Sequence, residues 1–139
     1  MEAIYVYWVS TTMLCLFYLT SATLYLTRKE WVRQTLIGLN FPAPFLVPFM
    51  VVIKILGPLA LLSRLSVVLS DLAYAGIFFH LILSASAHFG VRRPTGALPA
   101  IIGLVLLAMS FSTQNAARET PSPYASAVAE AHIYTTKRS

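Results

Sequence analysis

Four stretches of the chain are long and almost free of charge: residues 4–26, 45–63, 72–89 and 97–113. Each approaches or exceeds the ~17–25 residues that a helix needs to cross a bilayer. The strands of a membrane barrel would alternate over ~10-residue segments instead, a pattern absent here. Between the first two stretches, Trp31, Val32, Leu36 and Leu39 fall within about 140° of a helical wheel, with Glu30, Arg33 and Gln34 opposite. That arrangement predicts a short amphipathic helix lying in the interface. Asn40-Phe41-Pro42-Ala43-Pro44 ends it, since each proline disfavours helix at the residue before it. The pattern predicts an all-α protein: a four-transmembrane-helix bundle over residues 1–113, with the amphipathic helix between its first two spans. Beyond Thr113 the composition turns to Ala, Ser, Thr, Pro and isolated charges, which predicts a largely disordered tail over residues 114–139.

Within this frame the spans differ. The first opens on Tyr5, Tyr7 and Trp8, an aromatic cluster suited to the headgroup level, and Tyr25 marks its other boundary. Its interior hydroxyls, Ser10, Thr11, Thr12, Tyr18, Thr20, Ser21 and Thr23, can bond their own helix carbonyls or a neighbouring helix. The second carries Pro48 in its first turn, where a missing amide hydrogen costs little, and Pro58 in its interior. Pro58 leaves the Lys54 carbonyl without its helical partner and predicts a kink. Asp71 is placed to cap the start of the third span. That third span brings His80, Ser84 and His88 within an arc of roughly 80°, a polar stripe that suits an inner wall better than a lipid face.

Composition agrees with a membrane chain, because 58% hydrophobic against 11% charged residues does not suit a soluble domain of 139 residues. A net charge of +5 would suggest a nucleic-acid partner in a soluble protein, but here the bases flank apolar stretches and read as orientation signals. Arg28, Lys29, Arg33, Arg92 and Arg93 lie in the two loops of one side, against Arg64 and Arg118 on the other. This bias places the first and third loops in the cytoplasm and both termini outside. Glu2 and the lack of a basic start argue for a first helix retained rather than cleaved. Cys15, the single cysteine, can form no internal disulfide and reads as a small buried hydrophobe.

The candidate chemistry centres on Lys54. A lysine at the bilayer centre costs ~2.5–3.5 kcal/mol on insertion scales and normally faces the bundle interior. No Asp or Glu lies within a span core to pair with it. It is therefore neutral, or held by carbonyls, tyrosines or water, or met by an anionic or carbonyl-bearing ligand. His80 lies at matching depth, able to accept from Lys54 or to bond the carbonyl freed by Pro58. The candidate ligand-binding or buried polar set is Lys54, His80, Ser84, His88 and Tyr74; Tyr74, with Ala75, Gly76, Ala85 and Ala87, also suits close helix packing. His80 and His88 are about 12 Å apart along the helix rise, too far to chelate one ion, so no metal site is assigned. No HExxH, CxxC or phosphate-loop motif occurs, and a core without an acid cannot assemble a Ser-His-acid triad, so no catalytic residue is assigned.

Several of these pieces together resemble the DoxX-like family of small four-helix membrane proteins. They are Tyr25-Leu26, the amphipathic segment ending in Gly38-Leu39-Asn40-Phe41-Pro42, Lys54-Ile55-Leu56-Gly57, Leu72 to Phe79, and Ser86-Ala87-His88. The resemblance covers about Tyr7 to Ser112. It implies a four-helix bundle in a bacterial-type cytoplasmic membrane. Relatives include the small subunit of a thiosulfate:quinone oxidoreductase and membrane assembly or chaperone factors of animals. The chain departs from many relatives at one position, where an acidic residue follows the aromatic pair and His80 stands here.

Two readings compete on this basis. One is a non-catalytic membrane subunit or assembly factor, whose buried polar residues set packing or recognise a partner membrane protein or a second copy. The other is a quinone- or lipid-binding component of a membrane oxidoreductase, in which Lys54 or His80 bonds a quinone carbonyl. The lone cysteine and the lack of a cofactor motif favour the first.

Overall fold

The computed structural model describes residues 2–40, 45–118 and 121–125. Five α-helices follow one another: α1 (Glu2–Thr27), α2 (Lys29–Gly38), α3 (Leu46–Ser63), α4 (Val67–Gly90) and α5 (Leu98–Thr113). Short 3₁₀ turns at Pro94–Ala97 and Gln114–Ala117 flank α5. Among the described residues there is no strand. Four helices are long and apolar enough to cross a membrane: α1, α3, α4, and α5 together with its flanking turns.

α1 packs against α3 and α5, and α4 packs against the same two helices, so α1 and α4 face each other diagonally across a four-membered ring. The exposed surface explains why this arrangement needs lipid. On α1 the inward stripe holds Tyr7, Ser10, Thr11, Leu14, Tyr18 and Ala22, while Val9, Met13, Leu16 and Leu26 point outward. Apolar side chains outside and hydroxyls inside reverse the soluble pattern. Two hydroxyls of this stripe are satisfied within the bundle: Ser10 Oγ donates to the Val6 carbonyl at 2.5 Å and Thr11 Oγ1 meets Ser110 Oγ of α5 at 2.6 Å. The helices approach closely where residues are small. A Cβ at Gly103 of α5 would stand 2.9 Å from Leu81 Cδ2 of α4, nearer than real contacts come.

α2 is the amphipathic helix of the first loop and lies against α1 and α3. Val32 is buried, and Glu30 and Arg33 form an exposed ion pair at 2.9 Å on the opposite face. The Arg33 guanidinium, through its hydrogen bond, holds the Glu30 carboxyl below its ordinary pKa. Asn40 ends the helix in the left-handed region (φ 65°), which asparagine tolerates.

One expectation needs correction. α4 begins at Val67, a turn before Asp71, and its cap is Ser66, whose Oγ accepts from the Leu69 amide at 3.0 Å. Both residues carry a capping oxygen; Ser66 wins because Val67 and Val68 continue the apolar run, and because the Asp71 carboxylate has other partners. Those partners come from the segment read as a tail. Gln114 Nε2 reaches one Asp71 oxygen at 3.2 Å and Ser122 Oγ donates to the other at 2.7 Å. Asn115 clasps Ser122 through both its carbonyl and its amide, by donor–acceptor pairs of 3.0 and 2.7 Å. Gln114, Asn115 and Ser122 are buried, so ordered packing passes Thr113; residues 119–120 and 126–139 lie outside the described residues.

Candidate functional site

The site forms where α1 ends, α2 lies, α3 begins and α4 ends. Lys54 is the ninth residue of α3 and its side chain leans toward the helix N-terminus, as helical side chains do. Its amine lies 4.9 Å from the ring centroid of Tyr25 and 5.2 Å from that of Tyr18. Tyr25 is two residues from the end of α1. The Lys54 backbone is therefore mid-span, but its amine reaches toward the interface that carries α2. Lys54 is only 5% exposed, and among the described residues its amine has no hydrogen-bond or ion-pair partner; the two tyrosine faces are its polar environment.

Tyr18 links this lysine to α4. Its hydroxyl lies 2.7 Å from His80 Nδ1, and the two rings meet edge to face at 5.6 Å. His80 thus takes neither of the partners expected for it, Lys54 or the carbonyl freed by Pro58, because Tyr18 reaches across the bundle first. When Tyr18 donates, the imidazole carries its proton on Nε2.

Lys54, His80, Ser84 and His88 line one cavity of about 520 Å³, within the ~300–1,000 Å³ typical of small-ligand sites. Its walls are otherwise mainly apolar, from Phe17, Leu24, Met50 and Leu81, and α2 covers it with Val32, Thr35 and Leu36, followed by Leu39 just past its end. His88 Nδ1 is buried without a partner among the described residues, and the ring lies so close to Gly96 that a Cβ there would collide with it.

Tyr74 does not join this group. Its hydroxyl meets Ser110 Oγ at 2.6 Å, and Ser110 in turn meets Thr11, closing a buried hydroxyl relay through α4, α5 and α1. Conversely, Tyr18 and Tyr25 belong to the site although neither stood among its candidates. Their spacing of seven places them on one face of α1, the signal that would have paired them.

A four-helix multi-pass membrane protein with a buried polar cavity beneath an interfacial helix is the class that this fold and site define. The chain belongs to the DoxX-like family, whose model matches residues 9–110. No curated protein and no solved structure matches the chain.

Proposed function

We propose that this chain is a non-catalytic subunit or assembly factor of a cytoplasmic membrane, and that its Lys54 cavity holds a membrane-soluble ligand. The carrying observation is Lys54, a residue 5% exposed whose amine has no hydrogen-bond or ion-pair partner among the described residues and which lines a cavity with His80, Ser84 and His88. A buried polar group left unsatisfied is costly, and a ligand with acceptor oxygens removes that cost. Among the described residues no carboxylate lines the cavity, and Cys15 stands apart from it. In this reading the α1–α2 and α4–α5 connections face the cytoplasm, as the distribution of Lys and Arg favours. The polar inner wall holds the bundle in the form that a partner membrane protein or a second copy recognises.

A second reading is a quinone-binding component of a membrane oxidoreductase. The aromatic faces of Tyr18 and Tyr25 beside two hydrogen-bonding groups favour it. Purification in lipid, solvent extraction and mass spectrometry separate the cases. A co-purifying amphiphile near one per protein, lost in Lys54→Leu and His80→Leu, is expected. A quinone in that extract supports the second reading, and an extract holding bulk lipid alone overturns ligand binding.

A further inference from the structure

The charge balance of the cavity narrows its ligand. Lys54 and the two histidines line it, and no Asp or Glu does. The only ion pair among the described residues is Glu30–Arg33 on the far face of α2, so among those residues no carboxylate answers Lys54. The helix that covers the cavity has basic ends as well: Arg28 and Lys29 stand at the start of α2, and Arg93 approaches Gly38 at its end. A buried cation beneath such a helix draws anions from the adjoining interface. The walls beyond the amine are mainly apolar, from Leu24, Met50, Leu36 and Leu81, and suit an alkyl chain.

We propose that the cavity takes a single-chain amphiphile with a carboxylate headgroup, seated on the Lys54 amine beneath α2. The proposal rests on the reading of the cavity as a ligand site and names the ligand's class. One lysine matches one negative charge. A phosphomonoester, at about −1.5 to −2 near neutral pH, carries more charge than the one lysine lining the cavity answers, since Arg28, Lys29 and Arg93 stand outside that lining. The depth also fits, since Lys54 reaches to the level of Tyr25 and holds a headgroup near the interface while the chain runs inward past Phe17 and Leu81.

The test uses the full chain in phosphatidylcholine nanodiscs. Radiolabelled oleate is competed with unlabelled oleate, methyl oleate, oleoyl lysophosphatidate and decylubiquinone. The expected result is oleate binding at least about tenfold tighter than methyl oleate, the scale of one hydrogen bond to a charged group. Lysophosphatidate is expected to compete more weakly than oleate. Lys54→Met should lose the preference for oleate and Lys54→Arg should keep it. The ester comparison needs no variant, so it decides the matter even where Lys54→Met fails to fold. Equal binding of acid and ester, tighter binding of lysophosphatidate, or an unchanged preference in a folded Lys54→Met each overturns the proposal. Decylubiquinone binding without oleate overturns it while leaving the cavity a ligand site; binding of none of the four overturns both.

Discussion

The Tyr18 hydroxyl and His80 Nδ1 lie 2.7 Å apart, joining helices that face each other diagonally in the bundle. Tyr18→Phe removes only the oxygen and leaves that imidazole nitrogen without its partner. The expected cost is about 1–3 kcal/mol, read as a lower unfolding midpoint in detergent. A midpoint equal to that of the parent would show that the contact is incidental.

Ser110 is the shared partner of Thr11 and Tyr74, at 2.6 Å from each. A double-mutant cycle with Thr11→Val and Ser110→Ala should give a coupling near the ~0.6 kcal/mol average of intramembrane hydrogen bonds. Ser110→Ala alone should cost more than Thr11→Val alone, because it strips a partner from two side chains. Equal costs would contradict the relay.

Gly103 faces Leu81, which is 1% exposed and stands 2.9 Å from where a Cβ at Gly103 would sit. Gly103→Ala is expected to destabilise by about 1–3 kcal/mol through overpacking, and adding Leu81→Ala should recover part of that loss. Additive destabilisation in the double variant would mean that the two residues do not compete for space.

Asp71 ties the segment after α5 to the start of α4 through Gln114 and Ser122. Asp71→Ala should release that segment, so that limited trypsin cleavage after Arg118 becomes faster than in the parent. Unchanged cleavage would deny the clasp. The tie also shows a contact that composition does not register. Gln114, Asn115 and Ser122 look like tail residues because they are polar, yet each finds its partner in a folded neighbour.

The same contrast separates what was legible in the sequence from what was not. Long apolar stretches and the stripe of α2 report solvent preference residue by residue, so the spans and the interfacial helix could be read directly. His80, Ser84 and His88 sit on one face by helical spacing alone, and the fold brings Lys54 to the same cavity. Partner choice was not legible, because it depends on which helices become neighbours. Tyr74 turned to Ser110, and His80 turned to Tyr18.

Orientation is checked independently. A reporter fused after Arg118 is expected outside the cytoplasm, following the excess of Lys and Arg on the α2 side. Cytoplasmic activity of that reporter would invert the assignment.

The central claim is that the cavity beneath α2 is occupied by a ligand on Lys54. An experimental density map of the protein in lipid nanodiscs tests it most directly. Elongated non-protein density, ending within hydrogen-bond reach of the Lys54 amine and running inward past Leu81, is the predicted result. An empty site, with α2 packed inward and the amine bonded to protein oxygens, would contradict it.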